Sequence, residues 1–336
     1  MTQQSIDSST LHLLPANHRF LAQELLTRGA KIQILEGTQD VMVVDLNGKR
    51  EYIFGVQSSI VPLTAANLAN DKFLSKTILS QQGIQVCRGA RFNYGSRFAA
   101  SSYYLELNSR AVIKPVVGTN GIDVFLPIDS LAEFDECIEN FSYYDTQREF
   151  LVEEYFEGRE YRVLITKNGD FAVLFRDPAK VIGDGRSTIR EIAERESYHR
   201  MNPRTSCLCE ILLDDPARTF LAKSGKDFEY IPAKDEVVYL RANSNLKGGG
   251  TCEDVTDKVH PSVIEIAKRV LASFPGLPYA GLDFISTNIT APQDPECYRL
   301  IEVNVEPAIG IHMNPWRGNS INVAAWIVDM IFPTKP

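Results

Sequence analysis

The stretch Leu300-Ile301-Glu302-Val303-Asn304 places two polar side chains at alternating positions of an otherwise apolar segment. Alternate residues of a β-strand point to the same face, so Glu302 and Asn304 are predicted to project from one side of a sheet. A second apolar segment, residues 280–285, carries the single acid Asp283. On adjacent strands, these three side chains would bring two carboxylates and an amide oxygen together. The alternative is that the acids belong to edge strands and face solvent.

This set of oxygen atoms is typical of sites for small divalent cations. Carboxylate and amide oxygens are ligands that Mg²⁺ accepts in proteins, usually together with phosphate oxygens of a substrate. We therefore interpret Asp283, Glu302 and Asn304 as ligands of a Mg²⁺ ion that bridges the phosphates of ATP, with Mn²⁺ as an alternative ion.

A lysine and a glycine-containing loop precede these strands in the chain. Lys114 ends the apolar stretch 111–114, and the loop Gly118-Thr119-Asn120-Gly121 follows shortly after it. Small residues allow backbone N–H groups to approach phosphate oxygens, while the lysine supplies positive charge. The pattern is neither a Walker A loop nor a dinucleotide fingerprint. It predicts a phosphate-binding loop, with an ordinary hairpin turn as the alternative.

Two further segments combine chemistry-bearing residues with turns. Residues 152–163 are rich in acids and aromatic residues, and we interpret them as a strand beside a purine followed by a turn that offers Glu160 to a ribose hydroxyl. Residues 239–251 place Arg241 and Asn243 before three successive glycines, which predicts a mobile loop that holds carboxylate or acyl-phosphate oxygens. The alternatives are a solvated hairpin end and a plain surface loop.

Length and composition indicate an ordinary multi-unit globular protein. The 336 residues are 44% hydrophobic and 23% charged, with a net charge of −8 and a pI near 5.3. This acidity argues against nucleic acid or an anionic membrane surface as the main partner. The alternation of helix and strand patterns predicts an α+β fold with mixed sheets, divided into units at 1–92, 93–152 and 153–336.

The termini and the cysteines contain no export or membrane pattern. The first ten residues lack a basic segment and an apolar core, so we expect a cytoplasmic protein rather than a secreted one. The six cysteines are scattered, which favours reduced structural thiols over a disulfide framework, and Cys207 with Cys209 lacks the further ligands of a zinc site. A homodimer is left open, because dimers are the commonest soluble assembly.

The order of these motifs resembles that of the ATP-grasp ligases from about residue 60 to the C-terminus. Within that superfamily, the chain is most similar to the glutathione-synthetase portion of bifunctional glutathione synthetases and to the ATP-grasp portion of cyanophycin synthetase. The phrases that carry the resemblance are KPVVGTNGIDV (114–124), VEEYFEGREYRVL (152–164), FRDPAKVIGDGRSTIREI (175–192), YLRANSNLKGGGTCEDVTDKVHP (239–261), AGLDFI (280–285) and LIEVNVEPAIGIHMNPWRG (300–318).

The resemblance implies a role for each matching residue. It implies a small N-terminal domain and two lobes that enclose ATP. The phosphate contacts are Lys72 and Lys114 with the loop Gly118, Thr119, Asn120 and Gly121; the adenine side is Glu153, Glu154 and Phe156, and the ribose position is Glu160. The metal ligands are Asp283, Glu302 and Asn304, and the elements that close over the acyl phosphate are Arg241, Asn243, Gly249, Gly250 and Thr251. Arg162 and Arg176 are expected to contact phosphate or a substrate carboxylate, and His312, Asn314, Trp316 and Arg317 are interpreted either as an acceptor pocket or as loop packing.

Two positions depart from the family pattern. The phosphate loop of the family usually carries another glycine near position 123, where this chain has Asp123. An acid is repelled by phosphates, so either its side chain turns away or the loop closes differently. Position 281 is glycine, whereas some relatives outside this subgroup have an arginine there.

The implied function is an ATP-dependent carboxylate–amine ligase that forms an amide through an acyl phosphate. The expected partners are small molecules, an amino acid or a γ-glutamyl-type peptide together with an amine. The alternatives are a peptide-extending ligase of the cyanophycin type, a non-catalytic ATP-binding regulatory protein, and a kinase that stops at phosphorylation.

Overall fold

The computed structural model describes residues 5–118, 123–142, 145, 147–201 and 207–333. The strands in chain order are β1 (Ser5–Ile6), β2 (Lys31–Ile34), β3 (Val41–Leu46), β4 (Lys49–Phe54), β5 (Gly89–Phe92), β6 (Ala111–Pro115), β7 (Phe125–Ile128), β8 (Phe150–Glu154), β9 (Arg159–Thr166), β10 (Phe171–Asp177), β11 (Lys180–Ile182), β12 (Val237–Tyr239), β13 (Thr251–Asp254), β14 (Tyr279–Ser286) and β15 (Tyr298–Asn304). The helices are α1 (Ala16–Thr27), α2 (Leu63–Asn70), α3 (Lys72–Gln81), α4 (Arg97–Leu107), α5 (Leu131–Ser142), α6 (Ile189–Met201), α7 (Asp215–Ala222), α8 (Pro261–Ala272), α9 (Gly310–Met313) and α10 (Val323–Ile331). Within these residues, no helix is long and apolar enough to cross a bilayer.

A five-stranded antiparallel sheet in the order β13-β10-β9-β14-β15 organises the C-terminal part of the chain. Strand alternation separates its two faces. Val163 and Ile165 of β9 pack into the core beneath α8 and α2, whereas Leu164 joins the core formed with α1, α10 and the N-terminal sheet. Both faces are therefore covered by helices along part of the sheet. The polar residues of its strands gather where the second face is left open.

The N-terminal sheet has the order β1-β2-β3-β4 and shares its apolar core with α1 and α10. Although α10 lies at the other end of the chain, it packs directly on α1. Helix α3, which comes after the N-terminal sheet and α2, begins at a well-formed cap. The side chain of Asp71 accepts hydrogen bonds there from the N–H groups of Phe73 and Leu74. Lys72 and Lys76, one turn apart, consequently lie on the same side of α3.

The central unit is a four-stranded sheet in the order β5-β8-β6-β7, covered by α4 and α5. The sequence-based boundaries at 92 and 152 fall at the end of β5 and within β8, which are hydrogen-bonded to each other. Because paired strands belong to one sheet, we propose that this unit extends from Gly89 to Glu154. The short antiparallel pair β11–β12 forms a further small core with α6 and α7. The sequence predicts a helix from residues 187–188 to about 196, which corresponds to the first part of α6, but it did not resolve α7.

Most long elements were predicted within a few residues. The sequence patterns predict a strand at 279–286 and helices at 71–82, 130–141, 260–274 and about 321–331. Strand β14 has the predicted limits, and α3, α5, α8 and α10 each begin and end within two residues of them. The structure moves the strand expected at 122–126 to Phe125–Ile128; residue 122 lies outside the described residues. Helix α4 was missed, because its small and aromatic residues give only a weak amphipathic pattern.

Candidate active site

The polar side chains of the five-stranded sheet share one face. Asp283 on β14 lies opposite Glu302 on β15 and opposite Arg162 on β9, and Arg176 on β10 lies opposite Glu160 on β9. Residues next to them in sequence, such as Val163 and Leu282, point into the core on the other face. The predicted alternation at Glu302 and the predicted neighbourhood of Asp283 are confirmed by this register.

These side chains form a continuous ion-pair network. Arg162 Nε lies 2.8 Å from Asp283 Oδ1, and Arg176 Nη1 lies 2.9 Å from Glu160 Oε1 and 3.5 Å from Asp283 Oδ1. Burial lowers the pKa of Arg176, but the carboxylates of Glu160 and Asp283 outweigh burial and raise that pKa above its ordinary value. Glu160, expected at the ribose, is thus held by Arg176 in this conformation.

The residues predicted to hold a metal present suitable atoms. Asp283 Oδ1 is buried and receives no hydrogen bond from the described residues, and Asn304 Oδ1 accepts one from the N–H of Glu306 at 3.0 Å. Within the described part of the chain, no three His, Cys, Asp or Glu side chains cluster as a metal site. The proposed ligands Asp283, Glu302 and Asn304 include only two carboxylates, and the third ligand is the amide oxygen of Asn304. An all-oxygen set of this size fits Mg²⁺, which keeps water and substrate oxygens among its ligands.

Lys72 connects β15, the strand that carries the predicted metal ligands Glu302 and Asn304, with the glycine loop at Gly118. Its Nζ lies 3.2 Å from Glu302 Oε1 and donates a 2.7 Å hydrogen bond to the carbonyl of Gly118. The backbone N–H of Lys72 also bonds to the carbonyl of Val116. Two elements predicted to contact phosphate therefore meet beside a predicted metal ligand. Thr119, Asn120 and Gly121, the other loop residues, lie outside the described residues.

Lys114 shares a buried carboxylate with a lysine that sequence reasoning missed. Glu153 lies 2.8 Å from Lys114 Nζ and 2.5 Å from Lys76 Nζ, and it is 2% exposed. Burial raises the pKa of Glu153, but the two ammonium groups outweigh burial and hold that pKa below its ordinary value. The side chain of Glu153, which borders the cleft, serves as an internal counter-ion in this structure, because buried lysines require one. The spacing of Lys72 and Lys76 on α3 was the available signal.

All three residues expected at the adenine side, Glu153, Glu154 and Phe156, line the cleft. Glu154 accepts hydrogen bonds from the N–H and Nε of Arg88, at 3.1 and 2.8 Å. Arg299 lies over the ring of Phe156 at 4.5 Å from its centroid. Together with the sheet face and the N-terminal helix α1, they border a cleft of about 1700 Å³.

The arginine loop is held to its own surroundings. Arg241 Nη2 lies 2.6 Å from Asp214 Oδ1, and Arg241 Nε donates to the carbonyl of Gly248 at 3.2 Å. Asn243 Oδ1 accepts a hydrogen bond from the N–H of Asn245 at 3.3 Å. Both Arg241 and Asn243 border the cleft. The charge of Arg241 is therefore shared with Asp214 rather than left free for an oxyanion.

Gly249, Gly250 and Thr251 are not among the described residues that border the cleft, contrary to expectation. Gly249 has a φ of +98°, and a Cβ there would lie 2.6 Å from the Cα of Ile211. A Cβ at Gly250 would meet three carbonyl oxygens at about 3 Å. Thr251 begins β13, opposite Asp177. Close backbone packing accounts for these glycines.

The interpretation of His312 as part of an acceptor pocket is also corrected by the structure. Its side chain is 1% exposed, and it is not among the described residues that border the cleft. Burial, with the nearby Arg162 charge as a smaller cause, lowers its pKa to about 3. His312 is thus a neutral core residue and not part of an acceptor pocket, whereas the neighbouring Asn314 does border the cleft.

Both departures from the family pattern have a local explanation. Asp123 has a φ of 55°, a region that favours glycine, and its carboxylate pairs with Arg148 at 2.7 Å. A Cβ at Gly281 would lie 2.9 Å from Nη1 of Arg162. The guanidinium of Arg162 therefore occupies the space beside Gly281, and its own Nη1 is buried without a hydrogen bond from the described residues.

All six cysteines lie in the described residues, and none of them forms a disulfide bond there. Cys207 and Cys209 border the cleft, and the Sγ of Cys207 lies 2.9 Å from that of Cys252 on β13. Sequence reasoning missed several residues that border the cleft, including Asn17, Phe20 and Glu306. No sequence signal links α1 to residues almost 300 positions later.

Comparison with known proteins identifies relatives of this chain in sequence and in structure. No protein-family model matches the chain. Cyanophycin synthetase of Trichormus variabilis is 35% identical over 275 residues, which cover 81% of this chain and 30% of that protein. The glutathione biosynthesis bifunctional protein of Clostridium perfringens is 30% identical over 325 residues, 95% of this chain and 41% of that protein. The crystal structure of a bifunctional glutathione synthetase from Pasteurella multocida has a TM-score of 0.68 at 26% identity and covers 97% of this chain.

The chain belongs to the ATP-grasp superfamily. The predicted ATP-grasp fold and the predicted similarity to both synthetases are confirmed. The chain spans 30% and 41% of the length of the two curated relatives described, and 45% of the Pasteurella chain. The likeness is therefore to the ATP-grasp portion of longer proteins.

Proposed function

We propose that this ATP-grasp chain is an ATP-dependent carboxylate–amine ligase that forms an amide through an acyl phosphate. The observation that carries the proposal is the shared face of Asp283, Glu302 and Asn304, with Lys72 reaching Glu302 and the glycine loop at once. This places positive charge and metal-type ligands side by side at one position in the cleft. Relatives named as synthetases support the same class of reaction.

The phosphates of ATP are proposed to bind between the central unit and the five-stranded sheet. Lys72 and Lys114 would contact phosphate oxygens from the two sides, and the loop at Gly118 would supply backbone N–H groups. Mg²⁺, when bound by Asp283, Glu302 and Asn304, would neutralise charge on the phosphate oxygens. Phosphoryl transfer needs mainly positioning and neutralisation, which these residues offer without covalent chemistry.

Arg162 is the proposed contact for the activated carboxyl group. Its Nη1 is buried in the sheet face and lacks a hydrogen-bond partner among the described residues, so it is available to a substrate oxygen. A donor held in a desolvated place stabilises the charge that develops when an amine attacks the carbonyl. Arg176, which is held by Glu160 and Asp283, helps to keep Arg162 in position.

The carboxylate substrate is proposed to be an amino acid or a γ-glutamyl-type peptide, in line with the bifunctional glutathione relatives. The second candidate is peptide extension, favoured by the 35% identity to a cyanophycin synthetase. The two candidates differ in the size of the carboxylate substrate.

The test is an ADP-release assay with Mg²⁺ and ATP against amino acids, γ-glutamyl dipeptides and short acidic peptides, singly and in pairs, with product masses measured. ADP that forms only with a carboxylate–amine pair, together with a condensed product, supports the ligase. Phosphorylated product without amine consumption would indicate a kinase. ATP binding without ADP release from any pair would contradict the proposal.

A further inference from the structure

Glu306 occupies the end of the cleft that faces the N-terminal unit. It follows Asn304 by two residues, which is at most about 7 Å along the chain. Its side chain is half-buried and borders the cleft. The carboxylate lies against Gly55, which follows β4, and therefore beside the N-terminal unit.

The surroundings of Glu306 are shaped to receive its carboxylate. Gly55 has a φ of +63°, and a Cβ at this position would lie 1.8 Å from Glu306 Oε1. Any larger residue at position 55 would therefore displace the carboxylate. Asn17 of α1 fixes the following segment, because its Nδ2 donates to the carbonyl of Pro307 and its Oδ1 accepts from the N–H of Ile309.

The carboxylate of Glu306 is left without a counter-ion. No ion pair links it to a Lys, Arg or His side chain in the described part of the chain, although most acids of this cleft have such a partner. A partly desolvated acid without a cation gains most from a ligand that supplies one.

We propose that Glu306 binds a second cationic group, an ammonium or guanidinium, on the amine substrate. The accepted amines are then basic amino acids or diamines, and the inference rests on the proposed ligase function. Phe20, which packs against Gly310 and also borders the cleft, adds an aromatic surface suited to a cation.

Paired ligands test this inference by calorimetry, with Mg²⁺ and a non-hydrolysable ATP analogue present. L-Arginine is compared with L-citrulline, and L-lysine with L-norleucine, because each pair differs mainly in the charge of the side chain. The wild type is expected to bind the charged member about 10-fold or more tightly, the usual size of a charge-assisted hydrogen bond. Glu306→Gln is expected to remove this ratio and to leave the binding of the ATP analogue unchanged.

Glu265→Gln on the surface of α8 is the control, since it makes the same change in net charge and should keep the preference. Equal affinity of the wild type for both members of each pair would overturn the inference, as would a preference that survives in Glu306→Gln. An equal loss of affinity for charged and neutral amines would show that Glu306 contacts the reacting amine instead, which also overturns it. These binding results are independent of ADP release, so failure of the ligase proposal is recognised separately.

Discussion

Glu153 and Lys114 form an ion pair of 2.8 Å in which both side chains are shielded from solvent. Lys76 approaches the same carboxylate at 2.5 Å from the other side. One acid thus balances two buried lysines, one of which is a proposed phosphate contact. The position of Lys114 depends on Glu153, because a buried ammonium group is stable only beside its counter-ion.

Glu153→Gln is expected to destabilise the protein by about 3–5 kcal/mol, since it leaves two buried ammonium groups without a counter-ion. The measurement is urea denaturation followed by circular dichroism. Glu229→Gln is the matched control, because Glu229 pairs with Arg190 at 2.8 Å on the surface and should cost about 1 kcal/mol or less. Similar losses in both variants would contradict the buried-pair account.

Glu302→Gln is expected to abolish ADP formation while the fold remains intact. The substitution removes the negative charge of a proposed metal ligand and of the partner of Lys72, and the loss of one such electrostatic contact typically lowers kcat by about 100- to 1000-fold. The measurement is ADP release at saturating ATP, with the unfolding free energy as a control. Full activity in this variant would refute the assignment of Glu302 as a metal ligand.

His312 is expected to make stability depend on pH between about 3 and 6.5. Its folded pKa of about 3 lies below the ordinary value, so the unfolded chain binds a proton that the folded chain does not. Stability is therefore lost as the pH falls through 6.5, by up to about 1.4 kcal/mol per pH unit. Between pH 7 and pH 5, the unfolding free energy of the wild type should fall by about 2 kcal/mol more than that of His312→Leu.

The prediction for His312 is contradicted if the unfolding free energies of the wild type and of His312→Leu change equally between pH 7 and pH 5. His18 is also buried, but it is present in both proteins and cancels in the comparison. Urea denaturation at the two pH values provides the measurement.

Asp123→Ala is expected to be less stable than Asp123→Gly by about 1 kcal/mol, because only alanine is strained at a φ of 55°. Both variants lose the pair with Arg148, so the difference between them isolates the backbone conformation. Thermal and urea denaturation measure the difference. Equal stability would indicate that this residue relaxes to a negative φ in solution.

The sequence was most informative where chemistry and strand periodicity coincide. The alternation of Glu302 with Asn304, and the lone acid of the strand at residues 280–285, predicted a shared polar face, and the strand register confirms it. A helix over residues 71–82, stopped by Gly83, was predicted for the same reason, and α3 occupies Lys72–Gln81. The order of the motifs was sufficient to indicate the ATP-grasp family.

Sequence reasoning failed where a role depends on what lies across the fold. The pattern around Glu153 is that of a strand end beside a nucleotide, yet two lysines from other elements turn the side chain into an internal counter-ion. His312 follows β15, the strand of Glu302 and Asn304, by only a few residues. The side chain of His312 is nevertheless buried in the core and does not reach the cleft. Burial and partner charges come from distant segments, so local sequence does not encode them in readable form.

By itself, the sequence determined the alternation that places Asp283, Glu302 and Asn304 on one face, because the period of a strand is fixed by backbone geometry. Only the tertiary structure decided which charges meet. The pairing of Glu153 with two lysines, and the position of Glu306 against Gly55, arise from elements far apart in the chain. Electrostatic energy depends on distance and burial in three dimensions, and the order of residues alone specifies neither.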